Sequence, residues 1–320
     1  MQIHGTEVAF VIPALNEEQN LANTLTVIKQ LFGSCEGVIL ADNGSTDQTV
    51  EVAKSFNITT TVHPGVSIAA LRNHGVAMTQ ADIIVFIDSD IQLDPSWPKH
   101  FAHTVQQIKA SPLTVAGSRC RAINKNNYVG RYWYNRLSQQ QSTNYINSGH
   151  LVVSRELFDR IGGFDESLRT GEDYDFSQRA LKAGGKIEPD AALIAWHDGY
   201  PDTIGGFMAR EMWHGRDEFK SITSIFQSKV ALVSVTLTLS LAVALVLSVQ
   251  QSSLLPILWY SGCWALLILT LIIQKFGLSS LKVTTNSALL YYLYFLSRSF
   301  AWSFKARRPL ARSRQEKPDE

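Results

Sequence analysis

Asp88 and Asp90 stand one residue apart in the stretch ADIIVFIDSDIQLDP, directly after five apolar residues, Ile83 to Ile87, that read as a buried strand. Carboxylates at the edge of so apolar a segment are costly unless a cation or a hydrogen-bond donor meets them. A carboxylate pair that shares a divalent cation is one way to hold a diphosphate. A turn that merely begins with Asp gives the same letters, and D-x-D recurs by chance in many soluble chains. The pair therefore acquires meaning only from what other residues are brought beside it.

Two further apolar runs end in polar residues. VAFVIPALNEE ends in Asn16, Glu17 and Glu18, and GVILADNGSTD ends in Asp42, Asn43 and Ser45. Helix capping by Ser45 or Thr46 accounts for the second group in part, and a helix start accounts for Glu17, but neither explains Asp42 directly after a strand. A fourth carboxylate sits in TGEDYDFSQRALKAGG, which reads as a helix opening near Thr170 or Gly171 and ending at Gly184. At about 100° per residue, Phe176, Ser177, Ala180 and Leu181 form an inward face with Asp173 at its centre. Glu172 then reads as an exposed residue complementing the helix dipole. Asp94 before Pro95 reads as a helix-start residue. His197, in LIAWHDGYP, follows one more strand-like run; a lone His is more often structural than a ligand, although neutral imidazole suits a metal.

The elements that must position these side chains alternate. VAFVI, GVILA, ITTTV and DIIVFI each precede a helical pattern, the first carrying Leu21, Leu25 and Ile28 at helical spacing. That alternation predicts an α/β fold: a mainly parallel sheet with helices on both faces. Ligands in such sheets bind beyond the carboxyl ends of the strands, where Asp42, Asp88 and Asp90 fall. Neither GxGxxG nor GxxxxGK is present, so the dinucleotide and P-loop phosphate cradles are missing.

Composition narrows the partners. The net charge of +1 over 320 residues creates no field for nucleic acid. The three cysteines, Cys35, Cys120 and Cys263, lack metal-ligand spacing and form no disulfide framework. MQIHGTEVAFVIPALNEE has neither the basic start nor the cleavage site of a secretory signal, so the N-terminal region is expected in the cytosol. Residues 230–249 and 254–273 are uncharged and apolar or hydroxylated over about twenty residues each, enough to span a bilayer core. Only QQSS joins them, so they read as a hairpin. Arg216, Lys220, Lys229, Lys275 and Lys282 flank the hairpin and its turn has no basic residue, which predicts both ends on the cytosolic side. A third apolar stretch, residues 287–304, contains Arg298 and many aromatics. It reads as an interfacial or re-entrant helix, because spanning would place KARRPLARSR outside. The expected division is a cytosolic domain over 1–222, a membrane region over 223–304 and a basic cytosolic tail over 305–320. The tail reads as a contact for anionic lipid.

Five stretches in order, FVIPALNEEQNL, ILADNGSTDQT, AALRNHGV, VFIDSDIQLDP and SGHLVVSRELFDRIGGFDESLRTGEDYDFSQRALKAGG, resemble the family 2 inverting nucleotide-sugar glycosyltransferases. The resemblance covers roughly residues 6 to 220. It implies the GT-A fold. It also implies nucleotide-sugar contacts from Glu17, Asp42, Arg72 and Asp88, with Asp42 at the base and Arg72 near the phosphates. Asp90 is the implied ligand of Mg²⁺ or Mn²⁺, with Asp88 facing ribose or metal, and His197 is an additional ligand in some relatives. Asp173 matches the family's catalytic base, and Gly149 would let backbone approach the sugar. Many relatives carry a small polar residue where His150 stands. Arg210, His214 and Arg216 can face phosphate or the membrane surface. The QxxRW motif of processive synthases is absent, which favours transfer of one residue.

The expected function is a metal-dependent inverting glycosyltransferase on the cytosolic face of the inner (plasma) membrane, using a nucleotide-diphosphate sugar and a hydroxyl acceptor linked to lipid, in polysaccharide or glycolipid synthesis. Polyprenyl-phosphate sugar synthases are the nearest alternative, since they combine such a domain with C-terminal helices but use the lipid phosphate as nucleophile. A non-catalytic nucleotide-sugar-binding component of an export complex is a third reading, disfavoured by the intact set Asp42, Asp88, Asp90 and Asp173.

Overall fold

The structure is a computed structural model that describes residues 1–124, 126–139 and 144–303. The first half runs β1 (Gln2–Ile3), β2 (Thr6–Ala14), α1 (Glu18–Phe32), β3 (Val38–Asp42), α2 (Thr49–Ser55), β4 (Thr59–Val62), α3 (Ile68–Ala77), β5 (Ile83–Ile87), β6 (Ile91–Leu93), α4 (Trp97–Ala110), β7 (Thr114–Gly117) and β8 (Arg121–Ala122). A π-helical turn, Gly130–Tyr134, leads into α5 (Asn135–Leu137). Then come β9 (His150–Ser154), α6 (Arg155–Arg160), α7 (Glu172–Lys182), β10 (Lys186–Pro189), β11 (Ala195–His197) and α8 (Ile204–His214). The chain closes with α9 (Ile222–Gln227), α10 (Lys229–Gln250), α11 (Leu255–Phe276) and α12 (Leu281–Ser299).

The main sheet has the order β10-β7-β9-β5-β2-β3-β4, with β1 paired to β2. β4, β3, β2 and β5 are parallel, as the alternation predicts. β9 departs from it, running antiparallel to both β5 and β7. Side chains of β2 alternate between two cores, as strand geometry requires. Val8, Phe10 and Ile12 pack with Leu21, Leu25 and Ile28 of α1 and with Trp97, Phe101 and Val105 of α4. Ala9 and Val11 pack on the other face with α3, α6 and α7. A second, three-stranded sheet, β6-β11-β8, was not foreseen from sequence. Its strands are only two or three residues long, too short for a periodicity to register.

Two details correct the sequence reading of the helices. α2 starts at Thr49 behind Gln48, so neither Ser45 nor Thr46 caps it. On α7 the buried residues are Glu172, Phe176, Ser177 and Ala180, whereas Leu181 is 39% exposed. At about 100° per residue that arc centres near Ala180, which places Glu172 inside it and Leu181 outside.

α10 and α11 are each 22 residues and apolar enough to cross a membrane, about 33 Å long at 1.5 Å per residue. Much of their surface is bare hydrocarbon: Leu239, Val243, Val246, Val249, Leu258, Trp259 and Leu266 are all exposed. α12 begins and ends earlier than the expected 287–304, and it is not among the membrane-length apolar helices. Near one end, Ser287 accepts from Arg136 Nη1 (2.9 Å) and donates to the Tyr132 carbonyl (2.8 Å). Near the other, Arg298 donates to Glu211 at 2.9 Å. Both ends thus hold to the α/β domain while the middle packs on α10 and α11. The expected basic tail, 305–320, lies outside the described residues.

Candidate active site

β5 ends at Ile87, and β6 begins at Ile91, so the carboxylates Asp88 and Asp90 occupy the crossing from the main sheet to the small one. Each sheet then brings one neighbour. The β5–β9 register, Ile87 opposite His150, carries Gly149 beside Asp88, whose N–H donates to the Gly149 carbonyl at 3.3 Å. The β6–β11 register, Ile91 opposite His197, carries His197 beside Asp90, and the Asp198 N–H donates to the Asp90 carbonyl at 3.0 Å. One ligand atom each from Asp88, Asp90 and His197 lie within 4.8 Å of one another.

The cluster has an excess of negative charge and an unused donor atom. Burial, Asp88 and Glu17 push the Asp90 carboxyl up to about 7, while Arg210 draws it partly back. Burial and Arg210 push His197 down to about 3, so its imidazole is neutral near pH 7. His197 Nδ1 lies 3.4 Å from Asp90 Oδ2 without hydrogen-bond geometry, and it has no other hydrogen-bond partner among the described residues. Two carboxylates and an orphaned neutral imidazole nitrogen make a donor set that fits Mn²⁺ or Mg²⁺. The room for it is kept by glycine. A Cβ on Gly199 would collide with Asp90 Oδ2 and lie 2.8 Å from His197 Cε1, and one on Gly149 would lie 2.7 Å from Asp88 Oδ2. Gly149 therefore makes space for the aspartate itself.

The imidazole is held by a stack that sequence reading missed. His197 lies on Tyr200 (4.2 Å, 9°), and Tyr200 lies on Tyr134 (3.9 Å, 4°). The Arg210 guanidinium sits 4.9 Å from the Tyr200 ring, a cation–π distance, and its Nε donates to His214 Nε2 at 3.3 Å. Arg216 turns away, donating to the Trp213 carbonyl at 3.0 Å. The aromatics in GRYWYN and WHDGYP were the available signal, but nothing in sequence says that the two segments meet.

Asp173, at the start of α7, is joined to this cluster through the loop before β9. Its Oδ2 accepts from Asn147 Nδ2 at 3.0 Å and its Oδ1 from the Tyr174 N–H at 2.8 Å. Burial and the neighbouring Glu172 charge push its carboxyl up to about 6, against the pull of those donors and of Arg72. Glu172 is buried, not exposed, and accepts from Arg72 Nη1 at 2.9 Å. The other Arg72 nitrogen, Nη2, donates to Asp88 Oδ1 at 2.7 Å.

The remaining residues singled out from sequence are placed as follows. Asp42 is fully buried, and its carboxylate accepts from the N–H groups of Gly44 and Ser45 (both 2.8 Å) and from the Ser45 hydroxyl, so it shapes the loop after β3. Glu17 precedes α1, takes the Asn20 amide at 2.7 Å and lies close enough to Asp90 to raise it. His150 faces the core: Trp97 Nε1 donates to its Nε2 and Ser118 Oγ bonds its Nδ1, both at 2.9 Å. Asp94 accepts from the Ser96 N–H and hydroxyl ahead of α4, the local role expected of it.

Residues 9–162 match the family model described as Glycosyl transferase family 2. That match covers just under half of the chain, and it supports a family 2 glycosyltransferase. Similar curated proteins include the pre-mycofactocin glycosyltransferase of Mycobacterium tuberculosis, 26% identical over 65% of this chain and 46% of that protein. The O-antigen chain rhamnosyltransferase RfbN of Salmonella typhimurium is 25% identical over 66% of this chain and 75% of its own length. The chain spans about half the length of the mycobacterial relatives it matches. Among solved structures, a mannosyltransferase from Pyrobaculum calidifontis in complex with GDP-Man and Mn²⁺ superposes with a TM-score of 0.60 at 17% identity, covering 93% of this chain and 87% of that one. That likeness is one of fold, and it places the chain among GT-A architectures.

Proposed function

We propose that the chain transfers a single sugar, with inversion, from a nucleotide-diphosphate sugar to a hydroxyl acceptor carried by a membrane lipid. The observation that carries this reading is the convergence of Asp88, Asp90 and His197 at the sheet edge, with Asp173 held to the same loop. In this reading Asp88, Asp90 and His197 hold Mg²⁺ or Mn²⁺, which when bound neutralises the departing nucleotide diphosphate. Arg210, fixed by its tyrosine neighbours, adds positive charge on the same side. Glu17 and the loop shaped by Asp42 form the nucleotide side. Asp173 takes the acceptor hydroxyl's proton as that oxygen attacks the anomeric carbon. Its raised proton affinity suits a base, and one displacement from the face opposite the leaving group inverts the sugar.

The exposed apolar hairpin and the packing of α12 on the domain support membrane anchoring with α12 along the surface, and the basic residues flanking the hairpin support a cytosolic catalytic domain. The likeness to an O-antigen chain rhamnosyltransferase supports a glycan product. The experiment is a screen of nucleotide sugars, with and without Mn²⁺, read by thermal stabilisation and then by transfer. A donor that binds raises stability by about 2.7 kcal/mol at a hundredfold excess over Kd. A protein stabilised by no nucleotide sugar under either condition overturns the reading.

A further inference from the structure

Three consecutive residues touch three different carboxylates. Asn147 donates to Asp173 at 3.0 Å, Ser148 Oγ donates to Glu172 at 3.1 Å, and Gly149 leaves the space that Asp88 fills. Behind them Arg72 joins two of the three, bonding Asp88 with one nitrogen and Glu172 with the other. The Arg72 side chain is 3% exposed, and its guanidinium lies 5.7 Å from the Phe164 ring. Both terminal nitrogens are engaged by carboxylates and little of the group meets solvent, so it offers a phosphate no ready approach. Glu172 and Asp173 are adjacent on α7 and therefore diverge by about 100°. One turns back to Arg72, and the other turns to Asn147.

We propose that Arg72 and Glu172 form an internal strut, and that Glu172 is a positioning residue fixing Asp173 relative to Asp88 during transfer. The proposal rests on the glycosyltransferase reading above and departs from the expectation that Arg72 contacts the donor phosphates. α7 lies far along the chain from α3 and β5, and the strut joins it by charge to α3 and to the residue that follows β5. A bidentate guanidinium suits this task better than lysine, because its planar fork holds two carboxylates at fixed angles. A base displaced by about 1 Å loses on the order of a hundredfold in rate while leaving the donor's own contacts in place.

The test compares E172A, E172Q and S148A with the wild type in donor binding, Mn²⁺ binding and transfer. E172A is expected to lower kcat about a hundredfold, with donor KM and Mn²⁺ affinity changed less than about threefold. E172Q keeps a carbonyl oxygen for Arg72 and Ser148, and it is expected to recover most of the rate. S148A, which removes one bond to Glu172 and serves if E172A does not fold, is expected to lower kcat about five- to tenfold. Unchanged kcat in a folded E172A or in S148A overturns the strut. So does a loss confined to donor affinity, or an E172Q as slow as E172A. Hydrogen exchange of the metal-free, donor-free protein gives an arm independent of activity. Residues 146–149 and 172–175 are expected to exchange faster in E172A, and equal protection overturns the strut. A wild type that neither binds nor transfers sugar, yet shows that loosening in E172A, overturns the function and leaves the strut standing.

Discussion

His197 Nδ1 and Asp90 Oδ2 lie 3.4 Å apart with no hydrogen bond between them. Burial removes the imidazole's charge, so the contact is not an ion pair, and a buried ring nitrogen left without a hydrogen bond beside a carboxylate is costly unless a cation lies between them. Replacing His197 by Ala is expected to weaken Mn²⁺ binding by about 10-fold or more, an effect of the size seen when metal-site geometry is disturbed. Titration calorimetry with Mn²⁺ alone measures it. Equal affinity in the variant removes His197 from the ligand set.

Gly199 gives a sharper version of the same test. A methyl group there would meet Asp90 and His197, whereas one on Gly205 would meet nothing within 4 Å. Gly199→Ala is therefore expected to abolish Mn²⁺ stabilisation while Gly205→Ala leaves it intact, both read by thermal unfolding. Neither position has the left-handed backbone that would strain an alanine.

Asp173 yields opposite pH trends for stability and for rate. Its folded carboxyl holds a proton up to about 6, above the ordinary 3.8. The folded state thus binds more protons than the unfolded one between those values. The stability this contributes is complete below 3.8 and is lost as pH rises through about 6. Transfer needs the ionised form, so kcat is expected to climb roughly tenfold per unit below pH 6 and level above it. Asp173→Asn is expected to keep donor binding and to lose about 10²–10⁴ in transfer to hydroxyl acceptors. Retained transfer to a polyprenyl phosphate by that variant favours the lipid phosphate as nucleophile.

The resemblance assigns His150 no role, and strand alternation turns its side chain into the core, away from the face on which Gly149 meets Asp88. Trp97 donates to its Nε2, which makes Nδ1 the protonated nitrogen bonding Ser118. Burial pushes it down to about 4. Its contribution to stability is present above 6.5 and lost as pH falls towards 4, the reverse of Asp173. His150→Ala strands the indole N–H and is expected to cost roughly 2–4 kcal/mol. Urea unfolding at pH 7.5 and pH 5 measures both effects, and a neutral substitution rules out the core role.

Legibility followed the length of the repeat that carried it. The parallel strands and the helix with Leu21, Leu25 and Ile28 were visible because apolar periodicity marks them over five residues or more. Asp88 and Asp90 were visible because polar residues at the end of an apolar run are conspicuous, and Asp173 because it shares a helical face with Phe176, Ser177 and Ala180. Glu172 was misplaced because one residue at the edge of a helical arc depends on where the arc is centred, and Leu181 pulled the estimate towards itself. The stack of His197, Tyr200 and Tyr134 was not legible. It forms between β11 and a π-helical turn 60 residues earlier, and no local pattern encodes that meeting.

The two apolar helices give the last prediction, which concerns topology. Cys263 is exposed midway along α11, while Cys35 and Cys120 are buried. If α10 and α11 cross a bilayer, Cys263 faces hydrocarbon, so in vesicles a water-soluble maleimide is expected to leave it unmodified and a lipophilic one to modify it. Ser252, in the turn between the helices, should then lie across the membrane from Asp88. A cysteine introduced there, with Cys263 changed to Ser, is expected to react only when reagent reaches the compartment opposite the catalytic domain. Labelling of Cys263 by the water-soluble reagent, or of position 252 from the catalytic side, would show that the hairpin packs elsewhere. The flanking Arg216, Lys220, Lys229, Lys275 and Lys282 would then bear on solubility and not on orientation.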